Sequence, residues 1–192
     1  MKIEINGNSL ELIVGDITMQ DTEAIVNPAN GTLMGGGGVD GAIHHAAGGE
    51  LLEECKQIRE EELDGNYLRT GKAVITKGYN LKALYVIHTV GPVWEGNRED
   101  AETKLSHAYI NSLQLAKKNG ITSISFPSIS TGVYRYPTKL ASIVALQAII
   151  DFLSENNFGS VVLTLYSEKY YDVYEETLKN LTPKIKEIIP SK

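Results

Sequence analysis

A chain of 192 residues, 42% hydrophobic and 22% charged, has the composition of one globular domain with a substantial core. Its net charge of −6 and pI near 5.3 exclude broad electrostatic capture of nucleic acid, so an anionic ligand must be held locally by backbone dipoles. A single cysteine, Cys55, excludes an internal disulfide and suits a reducing compartment; no apolar run approaches the roughly 18 residues of a membrane span.

Met1-Lys2 leads straight into a strand pattern rather than a signal peptide, so a soluble cytoplasmic protein is expected. Lys2 to Ile5 alternates in the strand manner, Asn6-Gly7 turns the chain, and Leu10 to Val14 completes a hairpin. Gly15-Asp16-Ile17-Thr18 ends that strand, with Thr18 or Asp21 placed to cap a short turn. Ala24-Ile25-Val26 reads as a buried strand that stops at Asn27-Pro28, because Pro28 has no N–H to give to a ladder. Asn27 is expected to fix the following loop by side-chain-to-backbone bonds. After the run Gly35 to Gly38, helical patterning extends from about Val39 to Glu62 with a break near Gly48-Gly49. Ala73 to Thr76 and Leu84 to Val90 are strands; the second is almost wholly apolar, hence central, with His88 a buried, hydrogen-bonded histidine. Glu99 to Lys118 is an amphipathic helix carrying Leu105, Ala108, Tyr109, Leu113 and Ala116 on one stripe. Ser123 to Phe126 is a strand ended by Pro127, and a loop through Ser130-Thr131-Gly132-Val133-Tyr134 leads to a helix of about Thr138 to Ser154, with Pro137 at its start. Val161 to Leu165 is the last strand and Tyr170 to Leu181 the last helix, and the tail after Pro183 is expected to fray.

Strands separated by helices predict an α/β domain with a mostly parallel sheet between helical layers, made mixed by the opening hairpin. No repeat or boundary divides residues 1–192, so a single domain is expected.

The stretch from Gly35 to His44 organises the rest. Consecutive glycines let the backbone press its N–H groups against something bulky, and a helix start follows at once, which together make an anion site. Ser128 to Tyr134 is a second glycine-containing loop leading into a helix, so the pair is suited to hold a diphosphate from both sides. Each bond from a neutral donor to a charged group contributes about 1.5–3 kcal/mol, so a handful suffices without lysine. Gly36 to Gly41 formally fits G-x-G-x-x-G, but eight residues separate Asn27 from Gly36 and the acids Glu60 to Glu62 lie in a helical run, so a dinucleotide-binding Rossmann site fits poorly. There is no G-x-x-x-x-G-K, no G-x-S-x-G and no clustered His/Cys spacing for zinc.

Taken together, Gly15-Asp16-Ile17-Thr18, Ala24 to Asn27 with Asn30, Gly35 to His44, Ala46-Ala47-Gly48, Thr70-Gly71 with Ile75 to Tyr79, Ile87 to Pro92, and Ile129 to Tyr134 with Tyr136-Pro137 resemble the macrodomain family, specifically its MacroD-type ADP-ribosylhydrolases. The resemblance covers almost the whole chain and implies a three-layer α/β/α sandwich that binds ADP-ribose in a surface cleft. It implies that Asp16 accepts from the adenine amino group beside the Ile17 backbone. Gly36, Gly37, Gly38 and Val39 would wrap the diphosphate together with Ser130, Thr131, Gly132, Val133 and Tyr134. Asn30 would contact the distal ribose, Tyr134 would pack on it, Asp40 would position or activate water, and His44 would support Asp40. The implied reaction is hydrolysis of mono-ADP-ribose esters on aspartate or glutamate of modified proteins, with deacetylation of O-acetyl-ADP-ribose at the same site and no metal or cofactor. The poly-ADP-ribose glycohydrolase signature, a glycine run followed by Gln-Glu-Glu, is absent.

A physical argument favours an enzyme over the alternative, a non-catalytic ADP-ribose reader. A carboxylate close to a diphosphate costs on the order of 3–4 kcal/mol per charge pair at an effective dielectric near 20, so a pure binder gains by losing Asp40. The plainer roles are an acid complementing a helix dipole for Asp40, a turn residue for Asn30 and a core histidine for His44, with His45 exposed or structural. An NAD-binding enzyme is a third reading. Pro28 stands where many relatives carry alanine and stiffens the entry to the loop, and Arg135 follows Tyr134 where glycine is common, placing a cation near the rim.

Overall fold

The computed structural model describes residues 1–188. Seven strands form one sheet in the order β1-β2-β7-β6-β3-β5-β4: β1 Lys2–Ile5, β2 Asn8–Val14, β3 Ala24–Pro28, β4 Ala73–Lys77, β5 Tyr85–Thr89, β6 Ser123–Phe126 and β7 Ser160–Leu165. From β2 to β5 the neighbours are parallel; β1 is antiparallel to β2, and β4 antiparallel to β5. The second antiparallel edge is not foreseen from the opening hairpin alone.

Five α-helices accompany the sheet among the described residues: α1 Gly38–Ala47, α2 Gly49–Glu61, α3 Arg98–Lys118, α4 Thr138–Glu155 and α5 Glu168–Ile188. Alternation along the strands sends neighbouring side chains to opposite faces. Ile25, Val86 and Val74 pack with Ile43, Leu51 and Cys55 of α1 and α2, while Val26 and Ile87 pack with the apolar faces of α3 and α4 and, further along the sheet, α5. The result is the three-layer α/β/α sandwich. The predicted stripe of α3 is buried at every named position, and the break between α1 and α2 falls at Gly48, whose φ of +89° ends one helix and caps the next.

Three local expectations are corrected. Asp16, not Thr18 or Asp21, caps the short 3₁₀ turn Ile17–Met19, its carboxylate accepting from Thr18 N at 2.9 Å. Pro28 lies inside β3, opposite Thr89. Ala29 N–H reaches Thr89 O at 2.9 Å on the β5 side, so the proline nitrogen faces β6, where ladder pairing has already ended at Ile25 and Ser125 and no donor is missed. Finally, α5 runs through Pro183 to Ile188; the rest of the tail, residues 189–192, lies outside the described residues.

That early end of the β3–β6 ladder positions the site. After β3 the chain moves toward β5 and β4, after β6 toward β7 and β2, so the two strands part at a topological switch point and open a crevice at their carboxyl ends. No helix is long and apolar enough to cross a membrane among the described residues.

Candidate functional site

The crevice holds a cavity of about 350 Å³ lined on one side by Asn30, Gly36 to Asp40 and on the other by Ser128 to Ser130 and Gly132 to Tyr134, with Gly91 at its floor. A second hollow of about 500 Å³, lined by Asp16, Ile17, Thr131, Tyr166 and Tyr170, shares Gly38, Val39, Ser128 and Gly132 with the first, so one cleft runs from Asp16 to Tyr134.

One wall is the glycine loop and the start of α1. Gly37 occupies the N-cap with extended backbone and no side chain caps the helix, so its first N–H groups face the cleft, unpaired by the protein. Gly35 and Gly38 adopt positive φ, +80° and +58°, which a side chain resists. At Gly41 the constraint is steric, since a Cβ would lie 2.5 Å from Gly36 O. An open helix terminus with glycine in front of it is a place for an anion.

Asp40, in the first turn of α1, is only 5% exposed. Its Oδ1 accepts from Asn27 Nδ2 at 2.7 Å and lies 3.5 Å from His44 Nε2. Its Oδ2 points the other way, toward the loop, where a Cβ on Gly36 would meet it at 3.1 Å and Asn30 Nδ2 at 3.2 Å. Burial pushes the Asp40 carboxyl above its ordinary range, against the Asn27 bond and the His44 charge, which pull it down.

The opposite wall is built by backbone. Tyr136 N–H donates to Ser130 O at 3.0 Å, Arg135 N–H to Gly132 O at 2.9 Å, and Trp94 N–H to Tyr134 O at 2.9 Å, while Tyr170 Oη–H donates to Thr131 O at 3.3 Å. The Ser130 hydroxyl is buried at the cleft with no partner among the described residues. Arg135 sits at φ +57°, exposed, and is not among the cleft-lining residues.

Most sequence-assigned residues therefore line one cleft: Asp16 and Ile17 at one end, Asn30, Asp40 and Tyr134 at the other, and Gly36 to Val39 facing Ser130 to Val133 between them. His44 is behind Asp40 rather than in the cleft. Asn30 doubles as a brace, donating to Gly35 O at 3.0 Å and accepting from Thr32 N at 3.1 Å. Asn27 does something other than expected: it bonds side chains, Asp40 and His88 Nδ1 (3.1 Å), rather than its loop. Tyr166, 83% exposed, and Tyr170 went unassigned, although Tyr166 directly follows a strand's carboxyl end, the position that marks a ligand wall.

His44, Cys55 and His88 bring three ligand-type atoms within 4.8 Å of one another. Both His88 nitrogens are already engaged, Nδ1 with Asn27 and Nε2 with Thr76 Oγ1 at 2.9 Å. Burial, reinforced by Asp40 and Glu54, pushes the Cys55 thiol up to about 12. The donor set thus reads as a hydrogen-bonded core rather than a metal centre.

The Macro domain family profile matches residues 26–145, from β3 through the glycine loop and both cleft walls into α4. The chain belongs to the macrodomain family. A macro domain-containing protein of Caldanaerobacter subterraneus is 46% identical over 90% of this chain and 97% of its own length. An O-acetyl-ADP-ribose deacetylase of Cronobacter sakazakii is 44% identical over 88% of this chain and 93% of its own. Among solved structures, the Oceanobacillus iheyensis macrodomain with ADP superposes with a TM-score of 0.94 at 54% identity, covering 96% of this chain and 97% of that one. The macrodomain fold and the mixed sheet between helical layers are thus those the glycine-loop motifs imply.

Proposed function

We propose that this macrodomain is an ADP-ribose-binding hydrolase that removes mono-ADP-ribose from acidic side chains of proteins and deacetylates O-acetyl-ADP-ribose. The single observation that carries the reading is the placement of Asp40. A buried carboxylate turns one oxygen toward the cleft beside Gly36 and Asn30, at the helix start where a diphosphate is best held. A carboxylate there weakens anion binding and is explained by chemistry. The deacetylase relative and the ADP-bound relative support the ligand class.

Adenine enters at Asp16, whose second carboxylate oxygen is left over after the Thr18 bonds, with Ile17 beside it and Tyr166 on the outer side. The diphosphate lies between the N–H groups at Gly36 to Val39 and the loop from Ser130 to Tyr134, with the free Ser130 hydroxyl as a further donor. The distal ribose reaches Asn30 and Tyr134. Asp40 Oδ2 then orients a water at the ester; the water's OH adds to the ester and its proton goes to the departing oxygen. No metal or cofactor enters this scheme. We take residues 1–192 as one macrodomain, and the buried single thiol suits a cytoplasmic setting.

The test measures release of ADP-ribose from a glutamate-modified protein and hydrolysis of O-acetyl-ADP-ribose, for wild type and Asp40→Ala, with calorimetric ADP-ribose binding on the same samples. Asp40→Ala is expected to lower turnover by about 10²–10⁴-fold, the scale of a lost general base, while affinity stays equal or rises. Tight binding without turnover by wild type would make the protein a reader. Loss of binding together with activity in Asp40→Ala would make Asp40 structural.

A further inference from the structure

Behind Asp40 lies a row of polar side chains that the proposed chemistry does not use. Thr76 on β4, His88 on β5 and Asn27 on β3 occupy neighbouring strands on the α1–α2 face of the sheet, and all are 2% exposed or less. Water is excluded, so their orientations are set by one another. Their bonds have one consistent direction. Thr76 Oγ1 donates to Val86 O at 3.4 Å, leaving its oxygen to accept from His88 Nε2 at 2.9 Å. His88 then carries its proton on Nε2, and its bare Nδ1 accepts from Asn27 Nδ2 at 3.1 Å. The same Nδ2 gives its other hydrogen to Asp40 Oδ1.

The Asn27 amide is held this way although its own Oδ1 is left buried without a partner among the described residues. Reversed, that oxygen would face the Asp40 carboxylate and the His88 lone pair at once. With the proton on His88 Nδ1 the preference would invert, because Nδ1–H needs an acceptor and would draw Oδ1 inward against Asp40. We propose that His88, fixed as its Nε2–H tautomer by Thr76, is a positioning residue that aims the Asn27 N–H at Asp40 and so keeps Asp40 in its working, ionised form. The kinetic part of this inference rests on the hydrolase reading above; the structural part does not.

The charges around the row are few. Toward Asp40, α1 presents His44 and α2 presents Cys55, whose Sγ is 3.8 Å from His88 Nε2. β3 and β4 present only the Asn27 amide and the Thr76 hydroxyl, the loop after β3 presents Asn30 on the same wall, and across the cleft the opposite loop presents the half-buried Tyr134. Burial, with the His44 charge adding to it, pushes His88 down to about 3, so it stays neutral across the working range and acts by geometry. The Asn27 bond favours the carboxylate, so losing it raises the pH at which Asp40 ionises, and activity that needs the carboxylate then begins at higher pH.

The experiment compares wild type with Thr76→Val, which keeps the shape of the side chain and removes the acceptor, and with Thr76→Ser, which restores it. Nitrogen NMR of the wild type is expected to show His88 as the Nε2–H tautomer from pH 5 to 9; an Nδ1–H tautomer overturns the proposal without need of any variant. Carbon NMR of the Asp40 carboxyl is expected to show its titration displaced upward by about one pH unit in Thr76→Val, the scale of a lost hydrogen bond to a charged group. The acid limb of kcat should move with it, KM and ADP-ribose affinity should hold, and Thr76→Ser should return the wild-type profile. An unmoved Asp40 titration in a folded Thr76→Val whose His88 tautomer has changed would sink the idea. Absence of turnover in the wild type would end the hydrolase reading and still leave both NMR measurements to decide the tautomer and its effect on Asp40.

Discussion

The two walls of the cleft solve the same problem by different means. Both need left-handed backbone. The glycine-loop wall supplies it with Gly35 and Gly38, the Ser128–Tyr136 wall with Ser130 at φ +67° and Arg135 at φ +57°. The first wall stands on α1, the apolar core of α2 and the Asn27–His88–Thr76 row, so Asp40 has a rigid backing. The second hangs from backbone hydrogen bonds and three tyrosine hydroxyls, Tyr170 donating to Thr131 O, Tyr109 accepting from Ile129 N and Tyr174 paired with Ser128 Oγ, with Val133 92% exposed at its tip. On the proposed reading, the chemistry falls to the wall whose side chains are buried and hydrogen-bonded behind Asp40, and the opposite wall supplies shape and donors. Non-glycine residues survive at positive φ on the second wall because Arg135 projects into solvent and the Ser130 hydroxyl into the cleft.

The sharpest way to break this contrast is Gly41→Ala. Its Cβ would sit 2.5 Å from Gly36 O, with backbone on both sides, so the loop must move as a body. A loss of about 1–3 kcal/mol in unfolding free energy is expected, as for overpacking, with ADP-ribose affinity down by about tenfold or more. Denaturant unfolding and calorimetry on one preparation check both numbers. A variant as stable and as tight-binding as wild type would show that the glycine wall yields as easily as its neighbour.

Gly91→Ala probes the second wall and should do less. The new Cβ would collide with Ser130 Oγ and approach Ile129 Cγ2 at 2.6 Å, atoms of side chains rather than backbone, so rotation of Ser130 and a small shift of the loop relieve it. Stability should fall by about 1 kcal/mol and affinity by about threefold, with the kcat profile against pH unchanged because nothing near Asp40 is touched. A shifted pH profile would mean that the walls are coupled.

Much of this was legible in the sequence, for identifiable reasons. Strand and helix periodicity located every element, and the glycine run announced a helix start bare of side chains. What stayed hidden depends on register. Asn27, His88 and Thr76 are 61 and 12 positions apart in sequence, and become neighbours only because β3 and β4 flank β5. Asn27 looked like a loop-fixing residue because Pro28 suggested that the strand was over, and the proline is accommodated only because β6 has already departed. Likewise α5 continues through Pro183, and Tyr166 joins the cleft through the sheet order rather than any local motif.

The smallest expected effect is the most discriminating about electrostatics. Arg135→Gly removes left-handed strain of about 1–2 kcal/mol, and glycine's greater freedom in the unfolded chain takes back about 0.5–1 kcal/mol. The net gain is about 0.5 kcal/mol, a rise of one or two degrees in Tm for a chain of this size. The guanidinium is exposed, makes no salt bridge among the described residues and is not among the residues lining the cleft. Its attraction for a diphosphate is therefore screened by water and salt, and ADP-ribose affinity should change by less than about twofold, equally at low and high ionic strength. A larger loss that fades as salt is added would mean that the second wall draws in the ligand by charge as well as by shape. The hydrogen-bond donors at Gly36 to Val39 would then share the diphosphate with a cation that the folded, unliganded protein keeps in solvent.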